Sequence, residues 1–525
     1  MESSYYHNLT VPSTLLCLVS AFALSLVTFA WLNAKKKDSL PLPPGPPPLP
    51  IVGNLLSLDR EKPWLTCTEW GKQYGELMTV HIFGKVYIVI NSTRVAKALV
   101  DGRSAMYSDR PPFGDTSKFY GMDFNTAHLR YNDRWRAHRK VYRQALRPEM
   151  ITAYHPLQLR KARQLVGSLL DSPDKYPGHL SILAASLIME IAYGYDPAPH
   201  NDRFVAGIER LLELTVANLT PAMTVILGAF PWLQSIPPWL PGAGFKKTAL
   251  QCQELSVEVS SAPFEYVKER IKAGTAPKSV VSDLLVQMDE KDRLAQELIL
   301  KECATSAYIA GVESTHSVLL VFMMMMIMHP EVQSRAQAEI EAVVGTDRLP
   351  EFSDRPFLPF VDAILRETQR WAAMVPLCVP HATTNDDIYE GYLIPKGAGI
   401  ILNLWGMTRD SKLYPDPSEF RPERFITEDG TLSEPFTNLS FGFGRRICPG
   451  RFVADASIWI AMVTMLATLT IGKAVGKAGY EIEVVPEFGT GIILQPKPFV
   501  CRIERRSPAT ETLIKTSLRA PSNEE

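Results

Sequence analysis

The chain has 525 residues, 46% of them hydrophobic and 21% charged, so it folds around a core and is not a disordered polypeptide. A formal net charge of −1 gives no global electrostatic case for nucleic acid as a partner. The seven cysteines are scattered and none forms a CxxC pair, which excludes a disulfide scaffold and a zinc ribbon.

From Val11 to Leu32 no side chain is charged. At about 1.5 Å per residue such a helix crosses a hydrocarbon core of about 30 Å. Lys35-Lys36-Lys37 follow at once, and only Glu2 is charged before the run. Positive charge stays cytoplasmic, so residues 1–10 are expected in the lumen, 11–32 as a transmembrane signal anchor and the rest in the cytosol. A cleaved signal peptide is the alternative, but it would want its basic residues ahead of the apolar run. Asn8-Leu9-Thr10 is then a luminal glycosylation sequon, whereas those at Asn91, Asn218 and Asn438 would be cytosolic and unused.

Residues 33–50 are basic and then proline-rich. Pro41–Pro50 reads as a stiff polyproline II spacer, with an SH3-type ligand or a plain linker as alternatives. Residues 51–505 show no further break and read as one mostly α body of α+β class. Leu77–Ile90 has strand alternation with Gly84 as its turn. Aromatic residues recur over Phe113–Phe124. Trp135 and Arg139 lie at i and i+4 and face one way on a helix. Arg136, Lys140, Arg143 and Arg147 form a second, basic stripe, either a solvated face or a docking patch.

Val281–Asp289 leads into a long apolar helix, Leu294–Met328, which Pro330 stops. Met323–Met326 inside it reads as core filling. Glu367 and Arg370, at i and i+3, share a helix face and can pair. Short strands are expected at Tyr392–Ile394 and Gly489–Leu494, and a polar, frayed tail over 506–525.

The chemical centre is Phe441-Gly442-Phe443-Gly444-Arg445-Arg446-Ile447-Cys448-Pro449-Gly450. Its glycines admit positive φ or close approach of the backbone. Arg445 and Arg446 are expected to favour the Cys448 thiolate, as is the N-terminus of the apolar helix Phe452–Leu469 that follows. A lone thiolate on a rigid loop suits an iron ligand or a nucleophile.

This stretch resembles the haem-binding signature FxxGxRxCxG of cytochrome P450s, with Phe441, Gly444, Arg446, Cys448 and Gly450 at its fixed positions. The resemblance implies the P450 fold, with a long central helix and small β-sheets. It implies haem b (iron protoporphyrin IX), with Cys448 as the axial metal ligand and Arg446 paired with a propionate. Glu367-Thr368-Gln369-Arg370 resembles the family's ExxR, and Pro422-Glu423-Arg424-Phe425 its PERF segment. Together they imply a structural Glu367–Arg370–Arg424 network. Trp135 to Arg139 resembles its WxxxR helix, and Pro380-His381 its propionate-binding position, so Trp135, Arg139 and His381 are implied cofactor-binding residues.

Ala310-Gly311-Val312-Glu313-Ser314-Thr315 resembles the oxygen-activating [AG]Gx[DE]T[TS]. The small residues let a ligand approach, and an acid followed by an alcohol can pass protons, implying catalytic roles for Glu313 and Ser314 or Thr315. Serine at 314 departs from the usual threonine. Ala372–Leu377 is implied to line the pocket above the haem, and Phe113–Phe124 to be a substrate loop for a large apolar molecule.

The whole chain is most similar to microsomal, class II, fungal P450s. That implies insertion of one atom of O2 into a lipophilic molecule such as a terpenoid, steroid or polycyclic aromatic, in secondary metabolism or xenobiotic oxidation. NADPH would serve indirectly, through a separate NADPH–cytochrome P450 reductase docked on the basic stripe, with cytochrome b5 as a further donor, at the endoplasmic reticulum membrane. No GxGxxG-type fold is fused to the chain. The rival readings are a reductase-independent haem-thiolate isomerase or peroxygenase, and a non-catalytic membrane haem-binding protein.

Overall fold

The computed structural model describes residues 40–519 apart from 112, 219–220 and 435–437. The expected luminal segment with Asn8, the expected anchor 11–32 and the lysine run lie outside the described residues.

The proline run does not stand free as the expected spacer. Pro43 and Pro46 are buried. The Pro44 carbonyl accepts from Thr79 N–H at 2.9 Å and the Pro41 carbonyl from Leu393 N–H at 2.8 Å. Proline offers no N–H, so its carbonyls alone bind the run to strand edges.

Leu77–Ile90 forms two strands, β1 (Leu77–Ile82) and β2 (Lys85–Ile90). Phe83 (φ 46°) and Gly84 (φ 74°) both turn left-handed, as a two-residue hairpin requires. The other strands are β3 (His381–Ala382), β4 (Asp387–Tyr389), β5 (Tyr392–Ile394), β6 (Gly399–Leu402), β7 (Leu469–Lys473) and β8 (Cys501–Arg505). The largest sheet runs β1-β2-β6-β3, with β2 and β6 parallel; β4 pairs β5 and β7 pairs β8. The strand expected at Gly489–Leu494 is not formed. Those residues bend between Phe488 and Pro496, which form an isolated bridge, so the segment is the tip of a turn.

Helices make up the rest of the body. Those that bear on the site are α1 (Asp133–Leu146), α2 (His155–Asp171), α3 (Tyr176–Tyr193), α4 (Arg293–Met328), α5 (Pro359–Ala372), α6 (Arg451–Thr468) and α7 (Pro508–Arg519). With 36 residues, α4 is about 54 Å long. Its second half is apolar on all sides, and Met323–Met326 are fully enclosed, which marks a central core helix. Helices α4 and α6 are each long and apolar enough to cross a membrane, but both are mostly buried in the body.

Residues 506–519 depart from the expected frayed tail. Ile514 of α7 is buried, and it and Leu518, at i and i+4, approach Gly167 of α2. Two apolar side chains on one face suffice to dock an otherwise polar helix. Gly311 also differs from expectation. A Cβ there would lie 2.6 Å from Ile188 Cγ1, so this glycine admits α3, not a ligand.

Candidate active site

The cysteine loop closes on itself, with Cys448 N–H donating to the Phe441 carbonyl at 2.9 Å. Gly444 has φ 60°, and a Cβ there would meet the Val100 carbonyl oxygen at 2.3 Å. Its N–H donates to Asp101 Oδ1 at 2.6 Å, so the loop is pinned from outside. Burial pushes the Cys448 thiol up; the Gly450 amide, Arg139 and Arg451 pull it back. The two arginines expected to do this face elsewhere. Arg445 reaches Ser104 Oγ and the Tyr131 hydroxyl. Arg446 donates to the Ser108 and Leu129 carbonyls, both at 2.8 Å. Short local spacing put them near the sulfur, but the 444–446 turn splays them away.

Arg139 donates to the Ile447 carbonyl at 2.9 Å, bridging α1 to the loop. The buried Trp135 ring lies 4.5 Å from the Arg446 guanidinium and 5.9 Å from that of Arg139. Arg110, missed in the sequence, joins this cluster. It is buried, and its guanidinium donates to the Ala127, Val379 and Pro380 carbonyls. The only hint was a charged pair, Asp109-Arg110, set directly before Pro111-Pro112. Burial, then Arg110, pulls Arg446 down to about 8, and burial pulls Arg110 down to about 10. The near carboxylate, Asp109, is taken by Arg130 and the Tyr131 amide. His381 is buried, and its Nδ1–H donates to the Tyr107 carbonyl at 2.8 Å. Burial, Arg110 and Arg446 hold its imidazole well below the usual range, in the neutral form. The cluster is a set of cations short of anions.

Along α4, Ala310 is exposed although Ile309 and Val312 beside it are buried, so the helix borders an open space at its middle. Ser314 lies one turn on, and its Oγ donates to the Ala310 carbonyl at 2.8 Å. Thr315 is buried, so the hydroxyl on the open face is that of Ser314. Burial raises the Glu313 carboxyl to about 7. That carboxyl makes no hydrogen bond among the described residues.

Glu367, Arg370 and Arg424 come together. Arg370 grips the Glu367 carboxylate with two hydrogen bonds, 2.6 and 2.8 Å, and Arg424 Nε reaches Oε1 at 3.1 Å. The Arg421 N–H adds a fourth donor at 2.8 Å. Gln369, also missed, faces the cysteine loop: its carbonyl accepts from Ser440 Oγ at 3.0 Å, and its side chain meets Asn438. Both polar side chains of the Asn438 sequon are thus engaged inside the fold.

The basic stripe is partly neutralised. Arg136 pairs with Asp133 at 2.5 Å. Arg147 falls beyond the helix, at its C-cap, and lies 3.6 Å from Glu149. Lys140 and Arg143 are exposed and have no partner among the described residues. In the expected substrate loop, Tyr120 and Phe124 are buried in the core around α4, so those aromatics pack the body.

The family model described as Cytochrome P450 matches residues 43–499. The chain is a cytochrome P450. It is 36% identical to cytochrome P450 monooxygenase COX1 of Coprinopsis cinerea over 494 residues, 92% of this chain and 95% of that relative. It is 35% identical to cytochrome P450 monooxygenase claR of Ampulloclitocybe clavipes over 517 residues, 98% of this chain and 95% of that relative. It is 35% identical to cytochrome P450 monooxygenase 176 of Postia placenta over 509 residues, 96% and 97% of the two chains. The protein is therefore a P450 monooxygenase of fungal type, with haem as its cofactor. The residues suit that group. Arg110, Arg139 and Arg446 supply positive charge without a matching carboxylate, which two propionates would provide. The Trp135 indole N–H and His381 Nε2, both without a partner among the described residues, offer further polar atoms to the same acids.

Proposed function

We propose that Cys448 would hold the haem as its thiolate ligand and that this P450 inserts one oxygen atom of O2 into a lipophilic small molecule, a terpenoid, steroid or polycyclic aromatic. When bound, the haem supplies activation of O2, and a thiolate ligand favours cleavage of its O–O bond. Arg446, Arg110 and Arg139 would hold the propionates by charge, with Trp135 donating from Nε1. His381, neutral beside Arg110 and Arg446 alone, would take a proton on Nε2 only once the carboxylates stand against it. The Glu313 carboxyl would hold a proton below about 7, and the Ser314 hydroxyl, bonded to the Ala310 carbonyl, would present a separate donor on the open face. Glu367, Arg370 and Arg424 support the loop and take no part in the chemistry. The observation that supports the reading is the carboxylate-poor cluster of cations beside the cysteine loop, the buried Arg110 with the half-buried Arg139 and Arg446.

Electrons come from NADPH through a flavoprotein reductase that docks on Lys140 and Arg143, the two free cations of the α1 stripe. The protein sits on the endoplasmic reticulum membrane through residues 11–32. Trp232 and Trp239, 64% and 76% exposed, support a surface that meets lipid, because the amphipathic indole favours the membrane interface.

The test is the carbon monoxide spectrum of the reduced protein. Wild type gives a red-shifted Soret band, and Cys448→Ser loses it while retaining its helical circular dichroism. An unchanged band in the variant overturns the ligand assignment. NADPH-dependent O2 consumption with added reductase then separates a monooxygenase from a reductase-independent isomerase.

A further inference from the structure

Besides its exposed basic stripe, helix α1 carries two inward-facing stripes at a spacing of four residues. Trp135 and Arg139 face the cysteine loop; Arg134, His138 and Tyr142 face α4. The second stripe plays no part in the chemistry above, yet it holds a polar chain inside the core. His138 is 0% exposed and Glu302 of α4 is 5% exposed. His138 Nε2 meets Glu302 Oε2 at 2.9 Å, and Arg134 Nε donates to the same oxygen at 3.0 Å. His138 Nδ1 lies 2.8 Å from Thr126 Oγ1, which lies 2.9 Å from the Tyr142 hydroxyl. That hydroxyl donates to the Cys303 carbonyl at 3.0 Å. Thr126 also turns its own carbonyl toward Arg446 Nη1, at 3.5 Å.

Arg134 donates to both oxygens of Glu302, which marks it as a carboxylate, and with that end ionised a count of hydrogens along this chain fixes the state of His138. The ends, a carboxylate and a carbonyl, only accept. Four contacts run between them, so four hydrogens are needed. Thr126 and Tyr142 supply one each, and a neutral imidazole supplies one, leaving a contact empty. An imidazolium supplies two. Then Nε2–H donates to Glu302, Nδ1–H to Thr126, Thr126 to Tyr142 and Tyr142 to Cys303, and every contact is made. A buried carboxylate opposite favours that cation. Although burial works against it, Glu302 is held below the usual carboxylate range by His138 and Arg134, as an ion pair requires.

The geometry points to His138 and Glu302 as a buried ion pair that positions the haem-carboxylate clamp, by fixing α1 on α4 and, through Thr126, seating Arg446. They are positioning residues, and neither touches the reacting atoms. The inference rests on the haem-thiolate reading above, so the wild-type carbon monoxide band must be present before the variants are judged. Its absence refutes that reading, and the ion pair is then judged by the melting temperatures of the two single variants and the double one, where strictly additive losses overturn it.

The decisive measurement is the ferric–ferrous midpoint potential of the holoenzyme in three variants, alongside thermal melting. Glu302→Gln removes a negative charge near the haem and should raise the potential, because the reduced haem is the more negative state. His138→Gln removes a positive charge and should lower it. The double variant should return close to wild type, since a neutral pair replaces a neutral pair. A purely structural role lowers the melting temperature in all three and leaves the potential where it was. Shifts of the same sign in both single variants, or none in either, overturn the proposal. A shift in Glu302→Gln alone also overturns it, because His138 is then uncharged.

Discussion

Ser440 Oγ donates to the Gln369 carbonyl at 3.0 Å, so the helix that carries Glu367 and Arg370 holds the mouth of the cysteine loop directly. The network's influence on the haem site therefore needs no long route: α5 grips the 415–425 segment through its charges and the loop through one residue between them.

Ser440→Ala removes that bond while the Gln369 carbonyl keeps the Ala373 N–H at 3.3 Å, at a cost of about 0.5–1.5 kcal/mol. A lower melting temperature and a smaller fraction of protein with the red-shifted carbon monoxide band are expected. Glycosylation status should be unaffected, which mass spectrometry of the expressed protein can verify.

Glu367→Gln is far more damaging. It leaves the buried Arg370 and Arg424 without their carboxylate, and breaking a buried pair from one side costs about 3–5 kcal/mol. Little soluble, haem-loaded protein is expected on expression, with melting curves of any remainder displaced well downward.

Glu313 predicts a pH dependence. Its carboxyl is raised by burial from 4.5 to about 7, so the folded state binds the proton more tightly than the unfolded chain. Its stabilising contribution is present below 4.5 and is lost as pH rises through about 7. Urea unfolding at pH 5 and pH 8 should show this slope in wild type and a flatter one in Glu313→Gln. Coupled turnover should fall on the alkaline side of about 7 in wild type, and that limb should vanish in the variant.

Ser314→Thr restores a β-branched alcohol whose rotamer is stiffer, on the face where the Ala310 carbonyl awaits it. Product formed per NADPH consumed should rise, and hydrogen peroxide release should fall. Ser314→Ala should move both quantities the other way, several-fold, whereas Thr315→Ala, on the buried face, should disturb melting more than coupling.

Reversing charge at Lys140 and Arg143 together should weaken reductase-driven turnover and leave peroxide-driven turnover intact. Equal loss of both activities would remove the docking assignment. Arg147→Glu should do little, because Glu149 already lies 3.6 Å away.

The Glu367–Arg370 pair was legible because its two residues share one helix face. The proposed Cys448 ligand and the proposed Glu313 and Ser314 roles rest on motifs that are likewise contiguous in chain. Arg110 and Gln369 were not legible, because each acts across the fold on groups far away in sequence, through carbonyls that carry no residue-type signal. The same holds for His138 and Glu302, which meet over 164 positions. Local spacing also misled. Arg445 and Arg446 are neighbours of the cysteine in chain, but a single 3₁₀ turn decides where their guanidinium groups go. The tail helix was hidden by a polar average in which Ile514 and Leu518 alone matter.

The burial of Pro43 and Pro46 fixes where the chain leaves the body. Under the proposed anchor at residues 11–32, residues 33–40 would be the whole tether, at most about 28 Å when fully extended. A body so held would sample a thin layer of cytosol, and a greasy molecule dissolved in the membrane would reach it without a long passage through water.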